Sequence, residues 1–333
     1  MSTITRRRVA GASTNTDDGA IEPTSSQGGS GSRSQDNLSP SSEKKVAYDP
    51  RDVDESKSTP KLTLMEEVLL LGLKDRQGYL SFWNDSISYA LRGCIVMELA
   101  FRGRIAMVKD ANRRKYPLSD RYIEVINDKL TGEVLLDEAL KMMKISEKMS
   151  VASWIDLMSG ETWNVMKIGY QLKQVRERLA KGLVDKGVLR TEKRNFLLFD
   201  MATHPIADTA TKEEIIKRVC TMLVTRVSSS SVDSQSDVPN AYLRSVAMIC
   251  AAYAANVLEN ALLYLQPDLR EQAFNKVDEL MNDFSAWPFA GTAGAKIEMA
   301  PGTELSLEVI AAVLNVLTKM DAIVSLFFYF YYH

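Results

Sequence analysis

The chain has 333 residues, of which 45% are hydrophobic and 25% charged, a composition typical of a globular protein with one large core. Its formal net charge of −2 argues against a protein that coats nucleic acid through bulk positive charge, so any anion site must be a local patch. Cys94, Cys220 and Cys250 lie in apolar helical patterns without paired spacing, which indicates a reduced, cytosolic interior.

The N-terminal stretch, residues 1–60, is rich in Ser, Gly, Thr, Asn and Asp and has few large apolar side chains. Such a segment cannot bury enough surface to offset the entropy of ordering, so we predict a disordered arm. Its start has cations without an apolar region behind them and is not a secretory signal. Arg6, Arg7 and Arg8 form a dense basic cluster, which is either a solvated tip or a partner-docking motif.

Helical periodicity begins at Thr63, which stands at capping-box spacing from Glu66 and opens a predicted helix that ends near Gly72. Residues 78–83 are predicted to form a short strand, and Asp85 caps a helix that continues to about Gly103. The apolar positions of that helix recur every four residues and include Ile87, Leu91, Ile95 and Leu99. Further predicted helices span 120–127, 133–144, 151–157 and 162–186.

A basic helix followed by a hairpin, residues 171–201, is the segment richest in candidate binding residues. The helix carries Lys173, Arg176, Arg178 and Lys181, and the hairpin presents Phe196, Leu197, Leu198 and Phe199 in a row. In a continuous pleated segment, alternate residues of this row point to opposite faces, so one apolar face would stay uncovered. Such a face implies a partner, either a second copy of the chain or the acyl boundary of a membrane.

The remaining pattern predicts a mainly α fold. A second capping box, Thr211 with Glu214, opens a helix to about Arg226, and a polar loop follows at 228–240. Helices are then predicted at 241–265, 269–284 and 306–325. The final residues, AIVSLFFYFYYH, are too short and too aromatic to cross a bilayer. The predicted plan is an arm at 1–60, one helical domain at 61–325 and a divergent tail at 326–333.

Catalytic signatures are missing from the sequence. It has only two histidines, His204 and His333, with no paired cysteines at zinc spacing, no phosphate-cradling glycine loop and no nucleophile elbow. His204 precedes Pro205 and is interpreted as a structural turn residue. Glu133, Asp137 and Glu138 are assigned to a solvated helix face. We therefore expect neither an enzyme nor a metal or cofactor.

The residues alone leave two kinds of binding protein open. A basic helix followed by a hairpin is also the outline of a winged-helix nucleic-acid binder, and its candidate phosphate contacts are Arg176, Arg178, Lys181, Lys193 and Arg194. The apolar row at 196–199 disfavours this alternative, because a wing usually presents polar and cationic groups. Trp83, followed by a polar stretch, is either a core residue or one at the edge of the domain.

Several long segments resemble the Golgi phosphoprotein 3 family, and most closely its fungal vacuolar-protein-sorting members. They are LTLMEEVLLLGL at 62–73, GYLSFWNDSISYALRGC at 78–94, TGEVLLDEAL at 131–140, WIDLMSGETWN at 154–164 and the whole of 171–208. The resemblance covers about Lys44 to Ser325. It implies a helical bundle ringed by amphipathic helices, with a projecting β-hairpin.

The resemblance also implies a function. Proteins of this family are peripheral on the cytosolic face of Golgi membranes, where they bind phosphatidylinositol 4-phosphate and link glycosyltransferase cytosolic tails to the COPI coat for retrograde sorting and retention. The family's headgroup pocket corresponds here to Trp83, Arg92, Lys173 and Arg176. Its hairpin, implicated in self-association to a homo-oligomer and in membrane insertion, corresponds to Arg190–Met201 and includes Phe196, Leu197, Leu198 and Phe199. Its coat-binding arginines correspond to Arg6, Arg7 and Arg8. No nucleic-acid partner is implied.

Overall fold

The computed structural model describes residues 59–80, 85–161, 164–196, 199–290 and 299–332. The helices are α1 Leu64–Gly72, α2 Asp85–Phe101, α3 Val134–Ile145, α4 Val151–Ser159, α5 Val175–Asp185, α6 Thr209–Val224, α7 Ser229–Ser234, α8 Ala241–Ala254, α9 Leu258–Leu262, α10 Pro267–Phe284 and α11 Glu304–Tyr332. The strands are β1 Ile105–Met107, β2 Tyr122–Val125, β3 Met149–Ser150, β4 Glu192–Phe196 and β5 Phe199–Thr203. Short 3₁₀ helices span Ala111–Lys115, Leu118–Asp120 and Val165–Tyr170. The predicted mainly α fold is confirmed.

Helix α2 lies at the centre of the core and packs against α1, α4, α8 and α11. The predicted spacing of four is confirmed, because Ile87, Leu91, Ile95 and Leu99 are all fully buried. Gly93 allows close approach of α11, since a Cβ there would lie 3.1 Å from Cγ1 of Val313. The elements that carry the candidate site are therefore attached to a central, largely buried helix of the domain.

The capping box that opens α1 is confirmed. The Thr63 side chain accepts from the backbone N–H of Glu66, and the Glu66 carboxylate accepts from the Thr63 N–H at 2.8 Å. The next free N–H, that of Leu64, donates to the carboxylate of Glu98 on α2 at 3.1 Å. The start of α1 is thus tied to α2 by a buried charge.

Several predicted elements differ from the structure. Residues 122–125 form β2, the middle strand of an antiparallel sheet with order β1-β2-β3, where a helix was predicted. The predicted helix at 241–265 is broken at Asn256, which has φ 55°, and part of the predicted loop at 228–240 is α7. Asp208, not Thr211, caps α6. No strand occurs at 78–80, the described part of the predicted strand.

The predicted helix at 162–186 is also interrupted. Residues 165–170 are a 3₁₀ helix, and Gln174 adopts a left-handed conformation with φ 53° before α5 begins at Val175. Two short helices therefore replace one long helix. At the other end of the chain, α11 continues past the predicted limit of 325 to Tyr332. Among the described residues, no helix is both long and apolar enough to span a membrane.

The hairpin is confirmed as an antiparallel pair, but not as one continuous apolar row. Phe196 and Phe199 are direct partners across the two strands. The predicted single pleated segment through 196–199 is therefore wrong, because Phe196 and Phe199 belong to two antiparallel strands. Leu197 and Leu198, the two residues between the strands in sequence, lie outside the described residues.

The base of the hairpin is attached to the loop after α1. The His204 N–H donates to the Gly78 carbonyl at 2.8 Å, and the Ile206 N–H donates to the Asp75 carbonyl at 3.1 Å. Nζ of Lys212 on α6 donates to the Leu73 carbonyl at 2.8 Å in the same loop. These contacts fix the direction in which the hairpin leaves the domain.

Gly78 lies at the contact between this loop and the base of the hairpin, where there is no room for a side chain. Its φ is 68°, and a Cβ would lie 2.2 Å from the backbone nitrogen of Pro205. We expect Gly78→Ala to lower the free energy of unfolding by about 2–3 kcal/mol, because left-handed strain adds to a clash with backbone. Thermal or urea unfolding measures the change.

Gly132→Ala is the matched control for this substitution. Gly132 has φ 81°, but nothing lies within 4 Å of its Cβ position, so only the conformational strain of about 1 kcal/mol remains. Equal destabilisation by the two changes would contradict the close contact between Gly78 and the hairpin base.

Candidate anion-binding site

Among the predicted site residues that the structure describes, Arg92 on α2 is the most constrained by hydrogen bonds. Its side chain is buried and donates to three backbone carbonyls: Nε to Met158 at 3.3 Å, Nη1 to Ser88 at 2.8 Å and Nη2 to Leu172 at 2.7 Å. Met158 ends the buried face of α4, and Leu172 immediately precedes the turn into α5. The guanidinium group therefore joins three segments of the chain.

A second cation lies close enough to affect the pKa of Arg92. Burial, and to a smaller extent the positive charge of Arg176, lower the pKa of Arg92 to about 10, while Glu177 acts in the opposite direction. Arg92 remains protonated at neutral pH. Arg176 is partly buried and makes no ion pair with a described residue. Two neighbouring cations, neither of which forms an ion pair with a described residue, are a candidate site for an anion.

Lys173 joins this site in a different way from that predicted. It was expected on the same helix as Arg176, three residues away, but it lies in the turn before α5. Its backbone neighbour is Leu172, the residue whose carbonyl binds Arg92. Lys173 is exposed and makes no ion pair with a described residue. The structure thus brings Arg92, Lys173 and Arg176 to one region through the turn at 172–174.

The other cations of α5 are engaged elsewhere or lie further along the helix. Arg178 donates to the carboxylate of Glu138 on α3 at 2.5 Å, and Lys181 is exposed. Lys186, beyond the helix, pairs with Glu66 and Glu133, both at 2.8 Å. The prediction that the α3 carboxylates are merely solvated is therefore wrong for Glu133 and Glu138, which hold α5 in place.

Other predicted site residues cannot be placed. Trp83, Leu197, Leu198 and the arginines at 6–8 lie outside the described residues, as do the side chains of Phe196 and Phe199. His204 is described, and its backbone bond to Gly78 fits the predicted structural role. Its pKa is lowered by burial, against the effect of Glu177. In the described part of the chain, no group of three or more His, Cys, Asp or Glu side chains could hold a metal ion.

Two supporting residues were not predicted. Tyr89, three residues before Arg92 on α2, donates to Asp156 on α4 at 2.6 Å and fixes the two helices beside the site. Glu177 is the acidic neighbour that moderates the positive charge of Arg92. The spacing of Tyr89 and Arg92 on one helical face could have signalled the first of these.

The comparisons with known proteins agree with the resemblance in sequence. The family model for Golgi phosphoprotein 3 (GPP34) matches residues 64–299. A vacuolar protein sorting-associated protein 74 from Schizosaccharomyces pombe is 60% identical over 299 residues, which cover 84% of this chain and 88% of the relative. The protein of the same name from Eremothecium gossypii is 52% identical, with 83% and 89% covered. The chain therefore belongs to the Golgi phosphoprotein 3 family.

Proposed function

We propose that the protein is a peripheral adaptor on the cytosolic face of Golgi membranes, where it takes part in protein sorting. In this proposal it binds phosphatidylinositol 4-phosphate and links glycosyltransferase cytosolic tails to the COPI coat, without catalysing a reaction. The names of the family and of its relatives, which refer to the Golgi and to vacuolar protein sorting, support the cellular role. The lipid ligand is supported by the geometry around Arg92.

The neighbouring charges of Arg92 and Arg176 are the observation that carries the lipid proposal. Three of the five N–H donors of Arg92 bind carbonyls, and the other two have no acceptor among the described residues. A phosphate monoester, with a charge between −1 and −2 and several acceptor oxygens, fits two guanidinium groups and an ammonium group well. Lys173 and Arg176 then supply charge-assisted bonds from the turn and from the first turn of α5.

Trp83 completes the proposed pocket near the membrane interface, where an amphipathic indole is favoured. The hairpin residues 196–199 contribute self-association or insertion, and Arg6, Arg7 and Arg8 contact the coat. Each cation near an anionic surface contributes about 1 kcal/mol, so a single pocket gives reversible attachment. A homo-oligomer multiplies this attachment through effective concentration.

Vesicle flotation tests the lipid site. We expect the double substitution Lys173→Ala with Arg176→Ala to lower the apparent affinity for vesicles containing phosphatidylinositol 4-phosphate by about 100-fold, because two charge-assisted contacts are lost. Neither side chain is fully buried, so urea unfolding should change by less than about 0.5 kcal/mol.

The matched control is Lys181→Ala with Lys217→Ala, which removes the same charge from two exposed positions on α5 and α6. It should leave flotation within about threefold of the parent protein, since exposed charges are screened. Equal flotation of the parent protein on vesicles that lack the phosphoinositide would contradict the proposed site. Strong binding to a DNA duplex, lost in the double variant, would favour a nucleic-acid binder instead.

A further inference from the structure

An exposed apolar segment lies directly beside the cationic site. Residues 165–168, called here the apolar turn, open the 3₁₀ helix Val165–Tyr170 and contain three large apolar side chains in four positions. Val165 is 76% exposed, Met166 89% and Ile168 49%. Isolated exposed apolar residues are common, but three in one short segment form a patch that calls for a partner.

The apolar turn is held away from the core by specific contacts. Oδ1 of Asn164 accepts from the Met166 N–H at 3.0 Å and fixes the start of the 3₁₀ helix. Tyr170, at its end, packs edge-on against Trp154 with ring centroids 5.9 Å apart. The Leu172 N–H donates to the Met158 carbonyl at 3.1 Å. The start of the segment is therefore capped locally and its end is attached to α4, so hydrogen bonds and packing define its exposed conformation.

The same short stretch connects the apolar turn to the cationic site. Leu172 accepts from Arg92 at 2.7 Å, and the exposed Lys173 follows it. The chain from Ile168 to Lys173 spans at most about 17 Å even when fully extended. The headgroup layer on each side of the hydrocarbon is roughly 5 to 8 Å thick. The apolar turn is therefore close enough to the cations for a single membrane surface to contact both.

We propose that the apolar turn inserts into the boundary between headgroups and acyl chains when Arg92, Lys173 and Arg176 bind a lipid headgroup phosphate. This inference rests on the proposed function and adds a second contact to it, from a segment distinct from the hairpin. Val165, Met166 and Ile168 enter the apolar layer, while Lys167 and Lys173 stay among the anionic headgroups. One continuous segment thus binds the anionic headgroups through its lysines and inserts its apolar side chains among the acyl chains.

The charges around the apolar turn favour contact with a bilayer over contact with a second copy of the protein. Lys167 and Lys173 flank the apolar side chains and are both exposed. In a two-fold contact the same patch meets itself, so these like charges would be brought together. The exposed Glu161 and Glu177 reduce the repulsion only in part, because Arg176 adds a further cation. An anionic membrane surface complements the net positive charge instead.

A dye attached at position 166 tests insertion directly. The variant Met166→Cys is made in a Cys220→Ser background and labelled with an environment-sensitive fluorophore. Cys94 and Cys250, the other two cysteines of the chain, are fully buried and will not react. Emission is recorded with vesicles of neutral lipid, and with the same vesicles containing phosphatidylinositol 4-phosphate. We expect a blue shift, and quenching by acyl-chain quenchers, only with the phosphoinositide.

The matched control carries the dye at Val134→Cys in the same background. Val134 is 71% exposed at the start of α3, close to Thr131, whose carbonyl accepts from Arg102. Arg102 immediately follows the end of α2 and lies ten residues beyond Arg92, which is about 15 Å along the helix axis. The control dye should show no blue shift.

A second pair of variants tests the same segment without a dye. Met166→Asp should lower the apparent vesicle affinity by about tenfold, and Val134→Asp should lower it by less than twofold.

The outcomes separate the inference from the proposed function. Recruitment of labelled protein to phosphoinositide vesicles without a blue shift at 166 would overturn insertion and leave the headgroup site standing. A shift that depends on protein concentration in the absence of vesicles would show self-contact and would also overturn it. Failure of phosphoinositide vesicles to recruit the parent protein would overturn the proposed function, and the inference with it.

Discussion

Replacing Glu98 by glutamine is expected to lower the free energy of unfolding by about 3 kcal/mol or more. The Glu98 carboxylate is fully buried and accepts from Arg102 at 2.9 Å, from Arg244 at 2.8 Å and from the Leu64 N–H at 3.1 Å. The Arg244 side chain is 9% exposed, so loss of the carboxylate leaves a buried cation without its partner. Glutamine has almost the same shape, so no cavity contributes. Urea unfolding measures the difference.

Glu67→Gln is the matched control for this substitution. Glu67 also pairs with an arginine, Arg218 at 2.6 Å, but the Arg218 side chain is 39% exposed and stays solvated when the pair is broken. Burial raises the pKa of Glu67 despite the charge of Arg218, so its ionised form is not favoured by folding. We expect a loss of less than about 1 kcal/mol. Equal losses for the two glutamates would contradict the assigned role of Glu98.

The pH dependence provides a second readout for Glu98. Burial tends to raise its pKa, but the charges and hydrogen bonds of Arg244 and Arg102 prevail and hold it below 4.5. A carboxyl group with a lowered folded pKa stabilises fully above its unfolded pKa, and this contribution is lost as the pH falls through the folded value. The Glu98→Gln variant should therefore lose less stability than the parent protein when the pH is lowered from 4.5.

Arg92→Ala is expected to affect both lipid binding and stability. The substitution removes one of the paired cations, so flotation on phosphatidylinositol 4-phosphate vesicles should fall by more than 100-fold. It also leaves the carbonyls of Ser88, Met158 and Leu172 without their donor, at a cost of about 2–4 kcal/mol in the free energy of unfolding. Flotation must be measured where urea unfolding shows that the variant is folded.

Comparison with the Lys173→Ala, Arg176→Ala protein separates the two effects of Arg92. Both variants should lose vesicle binding, but only Arg92→Ala should shift the urea midpoint. Unchanged stability of Arg92→Ala would show that the three carbonyl contacts contribute little. A stable Arg92→Ala variant that still floats with the phosphoinositide would remove Arg92 from the site.

The sequence predicts those elements of the fold in which local and tertiary preferences agree. The spacing of Ile87, Leu91, Ile95 and Leu99 fits a helix and also fits burial on one face, so α2 is found nearly within its predicted bounds. The Thr63 capping box succeeds for the same reason, because Glu66 satisfies local N–H groups and tertiary contacts reinforce it. The sequence pattern predicts the hairpin, and the resemblance to the family adds the expectation that it projects from the domain.

The failures occur where tertiary pairing overrides local preference. Residues 122–125 form β2 because β1 and β3 offer partners on both sides, which no local pattern reveals. Gln174 and Asn256 interrupt predicted helices with positive φ, a conformation that non-glycine residues adopt only when the surroundings require it. The break at Gln174 matters for the proposed site, since it places Lys173 in the turn before α5 and not on the helix.

The candidate site was predictable only in part. Sequence pattern indicated a cationic segment, and the family resemblance selected Arg92, Lys173 and Arg176 from many cations. Neither showed that Arg92 is buried among carbonyls, because its partners come from Met158 and Leu172, 66 and 80 residues further along the chain. Arg178 resembles Arg176 in sequence pattern, and in the structure it differs in pairing with Glu138, whereas the charge of Arg176 acts on Arg92.

The three carbonyl contacts of Arg92 have a further consequence for recognition. An arginine that is free in solvent loses up to about 2 kcal/mol of rotamer entropy when a ligand fixes it. Arg92 has already given up that freedom during folding, so its remaining donors keep a constant direction before a phosphate arrives. Lys173, in its exposed turn, must still be ordered by the ligand. The proposed phosphate site therefore combines a rigid, preorganised guanidinium with an adaptable ammonium, a division that would favour selective recognition of phosphate geometry together with rapid exchange.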